Sequence, residues 1–139
     1  MSWTSNSTFR SSRNRTGRVR GMTGLEYRLG LWHNGVRLCD AEVAETHSQR
    51  RVGLLGRTGV VGVFVLEPCR SVHSFRMKFA LDVAGCSRTR DGSLLVRWIK
   101  RLPRNRLFLL SLGANVMVEA ETGTFTGYGI KRADQLELR

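Results

Sequence analysis

Residues 50–82, RRVGLLGRTGVVGVFVLEPCRSVHSFRMKFALD, decide the fold, because they hold the most apolar run of the chain and its clearest alternating pattern. The run at 59–66, GVVGVFVL, is rich in β-branched residues and stops at Glu67-Pro68, which is typical of a buried central strand. Residues 74–83 alternate between apolar and polar side chains. A second core strand is therefore predicted there, with odd positions facing a core and even positions facing solvent or a cleft.

Turn signals on both sides of this stretch predict β-hairpins. Asn34-Gly35 separates strand-like runs at 25–32 and 36–43, and both turn residues tolerate the positive φ of a type I′ turn. Asp91-Gly92 is a second signal of the same kind. The chain is therefore expected to open with one hairpin and to form another near residue 91.

One short helix is predicted between the first hairpin and the apolar run. Thr46 can cap its start, and Gly53 or Gly56 can end it. In that helix Val52 and Leu55 would pack on the sheet.

Further strands are predicted at 93–99, 107–112, 115–120 and 135–138, with a glycine-rich turn or short helical excursion at 122–130. Many short strands at this spacing favour an all-β, sandwich- or barrel-like single domain over a βαβ layout. The eight-residue apolar run is too short to cross a bilayer as a helix, and no other segment is longer and as apolar.

The composition is typical of one globular domain. Its positive net charge favours an anionic partner. The chain has 139 residues, 41% of them hydrophobic, and a net charge of +12 carried by 20 Arg and 3 Lys. Such a balance favours nucleic acid, phosphorylated ligands or acidic membrane surfaces as partners. Charge alone does not choose among them.

Residues 1–24 form a basic, Arg- and Ser-rich tail without an acidic residue, and 25–139 form the mainly β domain. The tail is expected to be disordered when free and to be able to bind phosphates without sequence preference. The alternative is a solvated leader, or a segment translated from upstream of the true start, with Met22 as an internal start.

Three cysteines, Cys39, Cys69 and Cys86, are an odd number in a chain without a secretory apolar segment. This pattern predicts reduced thiols in a cytoplasmic protein.

Several short patterns occur in one order along the chain. They are Ala44-x-Thr46, Arg51-x-Gly53-Leu54-Leu55-x-Arg57, Pro68-Cys69-Arg70-Ser71-Val72-His73-Ser74-Phe75, Met77-x-Phe79-x-Leu81-Asp82-Val83, Asp91-Gly92, and Glu119-x-x-x-Gly123 ahead of Gly129-Ile130. In order and spacing they resemble domain-of-unknown-function family 192 of bacteria and archaea, over about residues 36–138. Ala80 stands where the family commonly has Pro, and Ala133 stands where it commonly has Gly. The resemblance implies a compact, mainly β sandwich and no established activity.

The leading functional interpretation is a small, non-enzymatic binding or accessory domain with a cleft for an anionic or polar ligand. On the predicted strand at 74–83, Arg76, Lys78 and Asp82 alternate outward beside His73. If that face lines a cleft, the two cations could receive a carboxylate, phosphate or sugar acid. Glu119 is a further candidate for this cleft, and a solvated strand face is the alternative.

A second interpretation is nonspecific nucleic-acid binding through the tail and a basic patch at 97–106. Its residues are Arg97, Trp98, Lys100, Arg101, Arg104 and Arg106. Cations interleaved with an aromatic ring can bind phosphates and stack a base. Against this, the neighbours of Trp98 suit a core position.

A third interpretation is a hydrolase or metal protein centred on Cys69 and His73, with Asp82 orienting the imidazole. No local signature of a Cys-His enzyme accompanies them, and the paired ligand clusters of a structural zinc site are missing from the sequence. No catalytic residue, metal ligand or cofactor is therefore assigned.

Overall fold

The computed structural model describes residues 19–20, 26–27, 29–109 and 111–139, and the fold in these ranges is mainly β. These residues form a closed seven-stranded barrel, two small two-stranded sheets and two short helices. The elements in chain order are β1 Val19–Arg20, β2 Glu26–Tyr27, β3 Leu29–His33, β4 Val36–Val43, α1 His47–Val52, β5 Val63–Leu66, β6 Val72–His73, β7 Leu81–Arg88, β8 Leu94–Leu102, β9 Leu107–Phe108, β10 Val116–Glu121, α2 Thr124–Gly127 and β11 Gln135–Leu138.

The barrel strands follow the order β10-β5-β4-β3-β11-β8-β7, and β7 pairs with β10 to close it. The prediction of a mainly β, sandwich- or barrel-like domain is confirmed, with a barrel as the outcome. Strands β4 and β5 run parallel, so the chain between them must cross over, and α1 lies in that crossover. This parallel connection lies within a mainly β barrel, as the predicted layout requires.

Both predicted hairpins form, because their turns depend on local backbone chemistry. Asn34 and Gly35 have φ values of 50° and 76° and connect β3 to β4. Gly92, with φ of 86°, lies in the turn that connects β7 to β8. The predicted strand at 25–32 corresponds to β2 and to the first four residues of β3.

The predicted tail is only partly described. Val19–Arg20 pairs with Glu26–Tyr27 in a small antiparallel sheet. The remainder of the predicted tail, 1–18 and 21–24, lies outside the described residues.

The predicted strand at 74–83 is wrong for most of its length. Residues 74–80 form turns, and β7 begins only at Leu81. Arg76 has a φ of 60°, and buried Ser74 binds the opposite loop through the carbonyl of Pro103 and the N–H of Arg106. Similarly, the predicted strand at 107–112 shrinks to β9, which pairs with β6.

The core has two parts, because the sheet is buried on both faces. One cluster fills the barrel interior and includes Leu31, Val65, Ala84, Val118, Ala120 and Phe125. The other covers the outer face beneath residues 44–81 and includes Leu54, Phe64, Leu66, Met77, Val83 and Met117. Strands β5, β7 and β10 lie between the clusters, which explains why β5 is buried at all four positions.

The first helix begins as predicted, with Thr46 and Gln49 forming a reciprocal capping box. It ends at Gly53. Val52 is 53% exposed, so its predicted packing on the sheet is wrong, whereas Leu54, in the turn after the helix, is buried. A second helix, α2, lies where the sequence predicted a glycine-rich turn or a short helical excursion, and it buries Phe125 in the barrel interior.

Among the described residues, no helix combines the length and the apolar character that crossing a membrane requires.

Candidate functional site

A small cleft lies on the outer face of the barrel, between the α1 segment and β6. Its volume is about 60 Å³. Its walls are Arg50, Arg51, Val52, Gly53, Leu54, Leu55, Leu66, Cys69, Ser71, Val72, His73, Met77, Leu81 and Glu119. Mostly apolar side chains surround a few polar groups, which is the usual composition of a ligand pocket.

Glu119 is the buried polar group of this cleft. On β10 it lies opposite Phe64 of β5 and Val83 of β7, so it shares their outer face of the sheet. The α1 segment and residues 66–81 cover that face and leave the side chain only 6% exposed. Within the described ranges, no group donates a hydrogen bond to its carboxylate. Burial raises its pKa to about 7, because charge is costly away from water.

Cys69 lies on the wall near Glu119. Its Sγ–H donates to the carbonyl of Ser71 at 3.0 Å. Burial, the largest effect, raises the pKa of the thiol, the negative charge of Glu119 raises it further, and the positive charge of Arg50 lowers it in part. The net direction favours the neutral thiol, which is the opposite of an activated nucleophile.

Two cationic side chains and one imidazole stand where the cleft opens. Arg50, in the last turn of α1, is partly buried and donates to the carbonyl of Glu67 at 3.5 Å. Arg51 and His73 are exposed. The imidazole of His73 stacks on Phe75, with 5.7 Å between the ring centroids. The cleft therefore combines a carboxyl group in its interior with positive groups at its rim.

Asp82 does not belong to this cleft, although sequence reasoning placed it there. It pairs with Ala120, whose side chain lies in the barrel interior, and its Oδ2 accepts the N–H of Gly123 at 2.7 Å. Its Oδ1 lies 3.7 Å from Nε of Arg101. Asp82 therefore fixes the start of α2 at one end of the barrel.

The predicted ligand residues are thus divided between different places. His73 and Glu119 line the cleft, whereas Arg76 and Lys78 are exposed in the turns at 75–78 and are not among its walls. Arg50 was missed by sequence reasoning. Its sequence signal is only that it follows a helix cap by four residues, which does not show what the helix covers.

The predicted basic patch at 97–106 is also divided. Trp98 covers Gly85 and donates its indole N–H to the carbonyl of Ser111 at 2.8 Å, so its ring is part of the packing. Arg97 donates to the hydroxyl of Ser87, while Arg101 faces Asp82. Lys100, Arg104 and Arg106 lie around the β6–β9 sheet.

Within the described ranges, no group of three or more His, Cys, Asp and Glu side chains is placed to hold a metal ion. A thiol, an imidazole and a carboxyl line the same cleft, but the carboxyl is Glu119 rather than the predicted Asp82.

No protein-family profile and no curated protein sequence matches this chain. Two solved structures share its fold. A protein of unknown function from Novosphingobium aromaticivorans DSM 12444 has 15% sequence identity and a TM-score of 0.60, over 94% of each chain. A "putative transcription regulator" from Sinorhizobium meliloti 1021 has 20% identity and a TM-score of 0.56, over 87% of this chain and 90% of that one. At these identities the likeness shows the fold alone.

Proposed function

We propose that this chain is a small, non-enzymatic ligand-binding domain of the family-192 type, whose site is the Glu119 cleft. The ligand is a small polar molecule that hydrogen-bonds the Glu119 carboxyl and presents an anionic group to the rim. The observation that carries the proposal is Glu119 itself, a residue that is 94% buried, lines the cleft and has no hydrogen-bond donor to its carboxyl among the described residues.

Moving a carboxyl group away from water without a protein donor is costly, and the carboxyl of Glu119 faces the cleft. Such a group in a cleft is a candidate functional site, because a ligand that donates a hydrogen bond to it removes the cost on binding. Structural buried carboxylates are usually paired, as Asp82 is with Gly123. Glu119 differs from Asp82 in this respect.

The size and charge of the cleft limit the ligand. A volume of about 60 Å³ holds a few water molecules, so the ligand group that enters must be small. Arg50 and Arg51 supply positive charge at the opening, which favours a carboxylate or phosphate there. An amino acid or a hydroxy acid has both parts, a donor for Glu119 and a carboxylate for the arginines.

The state of Cys69 supports binding rather than catalysis. A nucleophilic cysteine needs a lowered pKa, and the burial of Cys69 raises it.

The proposal can be tested with glycine, glycolate, acetate and methylammonium as probes, each titrated into ¹⁵N-labelled protein. We expect glycine or glycolate to shift the amide signals of Cys69 and His73 saturably, and acetate and methylammonium to bind more weakly. Glu119→Leu should weaken binding about tenfold or more, since one hydrogen bond to a charged group is worth about 1.5–3 kcal/mol. Glu137→Leu is the matched control, because Glu137 lies on β11 outside the cleft.

Binding that is equal in wild type and Glu119→Leu would overturn the proposal, and so would the absence of saturable shifts with all four probes. The leucine variant should fold, because it replaces a buried carboxyl by an apolar group among apolar neighbours.

A further inference from the structure

The small β6–β9 sheet carries a concentration of positive charge that the Glu119 cleft does not use. We define the β6–β9 lobe as residues 71–78 and 100–109. These two segments contain six cations and no acidic residue, in a chain whose whole net charge is +12. The cations are Arg76, Lys78, Lys100, Arg101, Arg104 and Arg106.

The fold brings the two segments together, although about 30 residues separate them in sequence. Val72 pairs with Phe108, and His73 pairs with Leu107. Arg104 donates to the carbonyl of Met77 at 2.8 Å, and the backbone N–H of Arg76 donates to the Asn105 side chain at 3.1 Å. Half of the net charge of the protein is thus concentrated in one lobe.

Three of these six cations have neutral partners. Arg104 binds the Met77 carbonyl, Arg106 binds the Asn105 carbonyl, and the ammonium of Lys100 lies 4.2 Å from the ring centroid of Phe108. Arg101 alone of the six has an ion pair among the described residues, to Asp82 at 3.7 Å.

Elsewhere on the surface, arginines pair with acids at close range. Arg57 donates two hydrogen bonds to Glu42, and Arg88 donates three to Glu67. The charge of the lobe is therefore left available to an external anion, while these surface charges are neutralised within the fold.

An exposed aromatic surface lies on the same lobe. The His73 and Phe75 rings stack with an interplanar angle of 23°, and Phe75 is 45% exposed. Leu107, directly opposite His73, is also exposed. A half-exposed ring fixed by a stacking partner gives a base a flat surface to stack on.

From this arrangement we propose that the β6–β9 lobe binds single-stranded nucleic acid. The phosphates contact its arginines and lysines, and a base stacks on Phe75. Guanidinium groups suit this task because their planar donors match phosphate oxygens. Phe75 takes the role that the sequence assigned to Trp98, whose ring is packed over Gly85. Binding of this kind has little sequence preference.

The test is fluorescence anisotropy of a labelled 20-nucleotide oligouridylate with the full-length chain, over a salt series. Arg76→Asn with Arg106→Gln removes two cations, and asparagine tolerates the positive φ at position 76. Arg90→Gln with Lys131→Gln is the control with the same loss of charge at exposed positions outside the lobe. We expect the lobe variant to lose about 20-fold in affinity near 0.1 M salt and about 1.4 in salt slope, at about 0.7 per phosphate contact.

Phe75→Ala tests the stacking surface separately. It should reduce affinity about fivefold or more and leave the salt slope unchanged, because no charge is removed. The proposal is overturned if the lobe variant binds like its control, which would assign binding to the tail, or if Phe75→Ala binds as tightly as wild type. It is equally overturned if the chain binds vesicles containing phosphatidylglycerol but not the oligonucleotide.

Discussion

Asp82 and Glu119 lie one register position apart on the neighbouring strands β7 and β10, yet their side chains leave opposite faces of the sheet. Asp82 is opposite Ala120, which faces the barrel interior, and Glu119 is opposite Val83, which faces outward. Both residues are 6% exposed. The pleat therefore gives two similar residues different roles, a helix-end acceptor and a group in a cleft.

Glu119→Gln should change how stability depends on pH. The pKa of Glu119 is raised to about 7 in the folded chain, so its contribution to stability is complete below about pH 4.5 and is lost as the pH rises through 7. The lost free energy is about 3 kcal/mol, at 1.36 kcal/mol per pKa unit. Urea unfolding at pH 5 and pH 8 should show the glutamine variant gaining stability relative to wild type at the higher pH. An unchanged difference between the two pH values would contradict the assigned burial, and Glu137→Gln should show no such gain.

Asp82→Ala should destabilise the fold without affecting the cleft. Removing the carboxylate leaves the N–H of Gly123 without its acceptor, at a cost of about 1–3 kcal/mol. Arg101→Gln removes the other partner of Asp82, but this exposed side chain should contribute less than about 1 kcal/mol. Urea unfolding measures both variants. A stable Asp82→Ala protein that no longer binds glycine or glycolate would instead make Asp82 a ligand residue.

The hairpins and the helix cap could be predicted because each depends on a few adjacent residues. Asn34-Gly35 sets its turn by positive φ, and Thr46 caps α1 through Gln49 three positions later. The composition of 59–66 likewise predicted a buried strand. In the structure only the second half of that run, β5, is a strand. Gly62 has a φ of 76° and packs against the backbone of Asp40, so the strand begins only at the next residue.

The cleft could not be predicted, because it depends on contacts between distant parts of the chain. The alternation at 74–83 looked like a strand, but Ser74 bonds to a loop about 30 residues later and Arg76 turns the chain. Glu119 became a site residue only because α1 covers the outer face of β10. The sequence pattern predicts neither the register of the barrel strands nor the packing of α1 over β10.

Gly85→Ala should destabilise the barrel, because a Cβ at this position would overlap the indole ring of Trp98 on β8. Overpacking of this kind costs about 1–3 kcal/mol. Gly127→Ala in α2 is the matched control, since a Cβ there meets open space and its cost should lie within about 0.5 kcal/mol. Thermal unfolding followed by tryptophan fluorescence would measure both. If Gly85→Ala and Gly127→Ala had equal melting temperatures, the close contact between Gly85 and the Trp98 ring would be wrong.

The thiols should react slowly with iodoacetamide at pH 7.5. Burial raises the pKa of Cys86 to about 12 and also raises that of Cys69. Mass spectrometry should therefore find Cys86 modified only after unfolding, and Cys69 modified more slowly than free cysteine. The urea-unfolded chain is the control, in which both should react alike. If Cys69 reacted faster than free cysteine, the hydrolase interpretation would regain support.

The protonation of Glu119 is the most direct test of the proposed cleft, and it can be followed by ¹³C NMR of the side-chain carboxyl in selectively labelled protein. A midpoint near pH 7 is the predicted result, because the carboxyl is buried in the cleft without a described donor. A midpoint near 4.5, the ordinary value for glutamate, would show that the group is solvated or paired, and would contradict the proposed site.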